Sequence, residues 1–473
     1  MRRAVPAAGL LLLGGLFLLP LPAAEDAALE VGFGERDVTP KVDPKGKPVY
    51  LAGFGTNRKA TGVHDPLFAR AVVLGDGKAK VAIVSVDVVG LFLDFVEGVR
   101  AKLPGFRQVV VTSTHSHEGP DTLGIWGASP LVSGIDKDYM AFLERQIVAA
   151  VKEADARRQP AAAGIGSVKA PELLHDSRLP IVLHDDLVVL DFKEAKGGRR
   201  AGLVVQWNNH PETLGSDNTL VSADYVGYTV NHLKGKYRCP VVYLTGTVGG
   251  LMTSLHVPIK GEKGEDLKDG TYEKTSRYGE LLGAAAAKAV EAAKPAALTP
   301  ITARSKSLQL PLANRLYVVA RQFGVFQREV FLWDADPARR KVIKDIEDPK
   351  RAYGVRSEVG HLRLGDLDVA CIPGEIYPEL VLGKVVEKAE PGADFPDAPA
   401  EPAVYAQLKG PHRMIIGLAN DEIGYIIPKR QWDEKPPFAY GKAKGQYGEI
   451  NSMGPETAPL ICEAFKELVA GKK

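Results

Sequence analysis

Short β-branched runs and longer helical stripes alternate along the first half of the chain. Residues 68–74 and 80–86 are apolar runs joined by Gly75-Asp76-Gly77, which predicts a hairpin. Residues 91–103 read as a helix and 108–112 as the next strand. Over 136–157, Met140, Leu143, Ile147, Ala150 and Val151 recur at helical spacing, with Asp136 placed to cap the N-terminus. Strands are predicted at 187–192, 202–207 and 240–245, and a long Ala-rich helix at 278–293. Further strands follow at 305–310, 367–372 and 413–418, with a last helix over 456–468. The charged, Gly-rich stretch 261–271 and the Pro-rich, acidic stretch 390–402 read as surface excursions. Mixed strands and helices of this kind argue for an α/β (mixed α+β) layered fold, and with no internal repeat or clean linker, for a single large domain.

Composition narrows the function classes. The 473 residues carry 60 Lys+Arg against 58 Asp+Glu. Arg2 and Arg3 belong to an N-terminal segment with no acid before Glu25, so the remainder balances at 58 of each and has no global attraction for nucleic acid. That segment has a positive start, an apolar stretch over 7–19 and the small residues Ala23 and Ala24, which reads as a signal peptide over 1–24 and a mature chain over 25–473. A secreted or periplasmic protein is expected, with room for peripheral membrane contact. Cys239, Cys371 and Cys462 are odd in number and widely spaced, so no disulfide framework is expected.

Candidate chemistry sits where apolar runs end. Val111-Thr-Ser-Thr-His115-Ser-His117-Glu118-Gly119-Pro120 carries His-x-His at a strand exit, where neutral imidazoles suit zinc. In extended backbone, residues two apart point to the same side, so His115 and His117 are expected side by side. His210 ends another apolar strand and precedes Pro211, Glu375 follows Pro373-Gly374, and Tyr425 follows Gly424. Local spacing leaves open whether the histidines bind metal or lie at the surface, and it does not single out the Glu or the Tyr.

Taken together and in order, these segments resemble the catalytic domain of the neutral/alkaline ceramidase family. The landmarks are Ala52-Gly-Phe-Gly55, Thr61-Gly-Val-His64-Asp-Pro-Leu-Phe-Ala-Arg70, Thr114-His-Ser-His-Glu-Gly-Pro120, Asn209-His-Pro211, Pro373-Gly-Glu375 and Asn420-Asp-Glu-Ile-Gly-Tyr425. The resemblance implies one Zn²⁺ per chain held by His115, His210, Glu375 and Tyr425, and hydrolysis of an N-acyl amide by metal-activated water. It implies His117 facing the substrate as acid and oxyanion partner, Arg178 touching substrate or transition state, and Tyr447 helping to bind the oxyanion. The expected substrate is a small-molecule or lipid acyl amide, with no nucleic acid; oligomeric state is left open.

Two departures from the family pattern bear on substrate. Gly246-Thr-Val-Gly-Gly-Leu251 carries Gly249 where the family has an active-site serine, which predicts a locally wider pocket and weak turnover of long-chain ceramide. The chain also ends on the helix that closes the catalytic domain, so no C-terminal β-sandwich is expected. The alternatives are a non-catalytic lipid- or glycan-binding relative and a zinc esterase or deacylase. Amide and ester pass through the same tetrahedral oxyanion, and no Gly-x-Ser-x-Gly elbow suggests a serine hydrolase.

Overall fold

The computed structural model describes Met1, residues 28–334 and residues 336–471. The expected signal peptide, apart from Met1, lies outside the described residues.

Two large sheets form the centre. The first runs in the order Val241–Thr245, Arg200–Trp207, Asp186–Glu194, Gln159–Lys169, Glu30–Asp37, Phe68–Gly75, Lys80–Val86 and Gln108–Ser113, with Lys294–Ala296 paired to Gln159–Lys169. Its two ends are parallel pairs and its middle is antiparallel. The second contains Tyr353–Leu364 paired with Ile301–Leu312 and with Leu367–Cys371, which in turn lies parallel to His412–Ile416. The predicted 68–74/80–86 hairpin is present in register.

Successive strand residues point to opposite faces, which divides the core into layers. Val72, Ile83, Val110, Leu190 and Val204 face Leu362, Val369, Met414 and Ile416 of the other sheet. Their neighbours Val73, Ala82 and Val111 pack outward against Leu143, Ile147 and Val151 of the helix Lys137–Ala156. Val189, Leu203 and Val205 meet the helices Asp224–Tyr237 and Tyr272–Glu291. Behind the second sheet lies the helix Thr457–Val469, through Ile461, Phe465 and Leu468. The order is helix, sheet, sheet, helix, in agreement with the expected layered mixed α/β class. Asp136 caps its helix as expected, accepting from the Asp138 and Tyr139 amides. The three cysteines are buried and unpaired.

Some central elements escape the apolar pattern. Glu30–Asp37 lies in the middle of the first sheet, yet Gly32 and Gly34 make it read as loop. A Cβ on Gly32 would stand 2.0 Å from the Ala154 carbonyl oxygen, so glycine is what lets the helix Lys137–Ala156 dock this closely. Gly166 in Gln159–Lys169 plays the same part beneath Ala289. Among the described residues, no helix is long and apolar enough to cross a membrane.

Candidate metal centre

Four segments leave strand C-terminal ends at the seam between the sheets, the usual place for a ligand site in such folds. His115 follows Gln108–Ser113, His210 follows Arg200–Trp207, Glu375 follows Leu367–Cys371, and Tyr425 follows His412–Ile416. Hydrogen bonds stitch the seam: Thr112 Oγ1 donates to the Gly417 carbonyl at 2.8 Å, and the Gly417 amide to the Thr245 carbonyl at 2.9 Å. The Val111 amide donates to Asn420 Oδ1 at 2.9 Å. Glu375 and Tyr425 are direct partners in a short parallel ladder, which brings together two residues 50 positions apart.

The local geometry of His-x-His differs from the simple strand expectation. The strand stops at Ser113 and His115 takes a left-handed backbone with φ of 69°. Extended alternation therefore does not align His115 with His117; the turn does, and leaves their rings 5.0 Å apart, edge to face. A non-glycine residue in this region is strained, and such strain concentrates at functional sites.

Backbone carbonyls set the tautomers of two histidines. His115 Nδ1 donates to the Val89 carbonyl at 2.6 Å, and His210 Nδ1 to the Met252 carbonyl at 2.8 Å. Held at Nδ1, both rings turn Nε2 inward to the centre. Both Nε2 atoms face Glu375 Oε2, at 3.5 Å from His115 and 3.0 Å from His210, and the Tyr425 hydroxyl lies 3.5 Å from His210 Nε2. Burial alone would raise the Glu375 carboxyl, but His115 and His210 outweigh it and hold it well below the usual carboxylate range. Lone pairs converging on one buried point repel unless a proton or cation stands between them. Tetrahedral zinc with bonds of about 2.0–2.1 Å requires donor-to-donor edges of roughly 3.3 Å. The observed separations fit that requirement.

His117 stands apart from this set. Its Nδ1 is 3.3 Å from Glu212 Oε2 but out of line for a hydrogen bond, and no carbonyl fixes it. Burial first, then His115, His210 and Arg58, lower its pKa well below the ordinary value and keep the ring neutral. Ring nitrogens of His115, His117 and His210 nonetheless lie within 4.8 Å of one another, so the three buried histidines could hold a metal ion.

Tyr447 is half exposed and shares the pocket wall with His115, His117, Glu375 and Tyr425. Its hydroxyl accepts from Asn451 Nδ2 at 2.5 Å, which leaves its own proton free to donate. Burial, then Glu375, push this phenol up to about 12, so it stays protonated at neutral pH.

Two expectations are corrected. Arg178 does not line the pocket. It is buried, pairs both Glu449 oxygens at 2.7 and 2.9 Å, and donates to the Tyr447 and Gln431 carbonyls at 2.7 and 2.9 Å. Its two terminal nitrogens are committed to protein, only the buried Nε lacks a partner, and the side chain holds the loop bearing Tyr447. Gly249 does not widen the pocket either. It is buried against the next strand, where a Cβ would stand 2.4 Å from Tyr377 Cδ1 and 2.6 Å from the Glu375 carbonyl oxygen. A side chain is excluded there by the close approach of the backbone that carries Glu375.

Several pocket residues were not singled out from sequence: Tyr317, Glu422, Asn451 and the aromatic side chains Phe92, Trp126 and Phe326. Glu422 and Glu212 lay inside or beside landmark motifs, three and two residues from Tyr425 and His210. Asn451 and Tyr317 had no local signal.

No family model matches the sequence. The structure is similar to that of neutral ceramidase from Pseudomonas aeruginosa, with a TM-score of 0.69 and 17% identity over 94% of this chain and 75% of that one. A structure described as ceramidase complexed with C2 matches to the same extent. The chain thus shares the neutral ceramidase fold, as the motif resemblance implies.

Proposed function

We propose that the chain is an exported member of the neutral ceramidase family, a zinc-dependent hydrolase that cleaves an N-acyl amide of a ceramide-like lipid or a related compound. One observation carries the reading: the convergence of His115 Nε2 and His210 Nε2 on Glu375 Oε2, with the Tyr425 hydroxyl beside His210 Nε2. These four residues would hold the metal. Zinc bound there supplies a Lewis acid for the carbonyl and lowers the pKa of water from 15.7 to about 7.

The chain's own residues do the remaining work. Tyr447, its hydroxyl oriented by Asn451, donates a hydrogen bond to the carbonyl oxygen as charge develops there. His117, neutral and beside Glu212, takes at its free ring nitrogen the proton that the attacking water gives up and delivers it to the leaving amine nitrogen. Phe92, Trp126 and Phe326 give the pocket an apolar wall that suits an acyl chain and excludes water. No step needs a serine at position 249, so the glycine there is compatible with the reaction.

The test is hydrolysis of short- and long-chain N-acyl sphingosines and simple N-acyl amines, before and after chelation. Turnover should disappear on chelation and return with added zinc. Turnover that survives zinc removal overturns the mechanism, and faster cleavage of matched esters would reassign the substrate class. For export, mass spectrometry of secreted or periplasmic material should show a chain beginning near Ala24 or Glu25; intact Met1 in the membrane fraction overturns that part.

A further inference from the structure

The Ala52-Gly-Phe-Gly55 motif and Arg58 have no part in the chemistry above, yet both close on His117. The rings of His115 and His210 are each anchored by a carbonyl at Nδ1, whereas Nδ1 of His117 has no hydrogen-bond partner. Packing holds that ring instead. Gly53, with φ of 92°, lies against it so closely that a Cβ there would stand 2.2 Å from His117 Cγ. The Phe54 ring meets it edge to face at 5.0 Å.

The main chain of His117 is held separately. Its amide donates to the Pro211 carbonyl at 3.2 Å. Its carbonyl accepts from Arg58 Nη2, and the same nitrogen donates to the Ala52 carbonyl. One guanidinium therefore ties His117 to the segment that packs its ring. That guanidinium is itself fixed: Nη1 donates to Glu118 Oε2 at 2.9 Å and to the Gly215 carbonyl at 3.3 Å, and Cζ lies 4.9 Å from the centre of the Phe54 ring. Glu118 Oε2 accepts in turn from Asn218 Nδ2 at 2.7 Å. Arg58 is buried and does not line the pocket, so it reaches substrate only through His117. A lysine, with a single ammonium, cannot serve both arms of this fork.

We propose that Arg58 is a positioning residue for the hydrolysis: it fixes the main chain of His117 directly and, through Ala52 and Phe54, the ring that faces the substrate. The inference rests on the acid-base role proposed for His117. A group that transfers a proton must stand within hydrogen-bond reach of the atoms it serves, and a displacement of about 1 Å can cost on the order of a hundredfold in rate. A ring with no hydrogen-bond anchor at Nδ1 owes that placement to the cradle around it.

The experiment is a double-mutant cycle of Arg58→Lys and His117→Ala in the full chain, with N-hexanoyl-sphingosine and N-dodecanoyl-ethylamine as substrates and zinc content recorded for every sample. With His117 present, Arg58→Lys should lower kcat by roughly 10–100-fold, while KM stays within about twofold and zinc content is unchanged. In the His117→Ala background the same substitution should change kcat by less than about twofold, because the group it serves is gone. A loss of equal size in both backgrounds marks a merely structural residue and overturns the proposal, as does an unchanged kcat or a loss of zinc. Crystal structures of the wild type and Arg58→Lys give a readout that needs no turnover: the His117 ring should move by about 1 Å or more while those of His115 and His210 stay in place. An unmoved His117 ring overturns the proposal. If the wild-type protein cleaves neither amide, the hydrolase reading fails and the crystal structures alone decide whether Arg58 positions His117. Should Arg58→Lys not fold, Phe54→Leu replaces it in both arms, with an expected loss in kcat of about 3–10-fold, the equivalent of one aromatic pair.

Discussion

The wall of the pocket that carries His115, His210 and Glu375 contrasts with the wall that carries Tyr447. On the first, each side chain leaves the end of a strand, and the backbone carbonyls of Val89 and Met252 hold the rings of His115 and His210. On the second, Tyr447 belongs to a stretch whose only regular elements are short 3₁₀ turns, and it is held from a distance by Arg178, 269 residues earlier in the chain. The first wall is positioned by the sheets themselves. The second is held by the buried ion pair between Arg178 and Glu449, together with the Gln446 side chain bonded to the Leu179 main chain. Rigid placement of the proposed metal ligands thus comes with the fold, whereas the proposed oxyanion donor, Tyr447, is held by a clamp.

Substitutions can break that contrast, and the largest effect is expected on the first wall. His210→Ala should abolish metal binding and activity together, read by metal analysis and amide hydrolysis; a variant that keeps full zinc content would remove His210 from the ligand set. Next comes His117→Ala, which should retain zinc while kcat falls by roughly 10²–10⁴-fold, the range for a positioned acid or base. Loss of the metal in that variant would transfer His117 to the ligands, in the three-histidine arrangement that the spacing also permits.

The second wall should fail through stability. Arg178→Met leaves Glu449 buried without its partner and should cost about 3–5 kcal/mol in denaturant unfolding, with zinc content preserved in the folded fraction. Unchanged stability would mean that the clamp does not hold the loop. The smallest effect is expected at Gly249→Ser. Its Cβ meets Tyr377 and the Glu375 backbone, so the variant should lose about 1–3 kcal/mol and gain no ceramide hydrolysis. Faster ceramide cleavage at undiminished stability would restore Gly249 to the pocket.

The same contrast explains how far the sequence could be read. His115, His210, Glu375 and Tyr425 each follow an apolar run, so strand periodicity and motif order together point to them. Arg178 and Glu449 lie 271 positions apart, and no local pattern announces that they pair. A motif match could therefore suggest Arg178 as a substrate contact when its guanidinium is spent on protein. The strand Glu30–Asp37 was hidden for a different reason: glycines that admit a helix at close range have the signature of a turn. Tyr353–Leu364 was hidden by its charges, since Arg356 and Glu358 are matched by Glu97 and Arg100 of the helix Leu93–Ala101. Gly249 shows the limit of alignment alone, because a missing side chain reads as an open pocket until the packed backbone is seen.

The central claim is that a single zinc ion is held by His115, His210, Glu375 and Tyr425, with His117 left free for the substrate. Anomalous diffraction at the zinc edge from crystals of the zinc-loaded protein tests it directly. The account predicts one peak per chain, within about 2.0–2.2 Å of His115 Nε2, His210 Nε2 and Glu375 Oε2, with Tyr425 next to it and the His117 ring outside the coordination shell. A peak bonded to His117 in place of Glu375, or no peak at this seam, would contradict it.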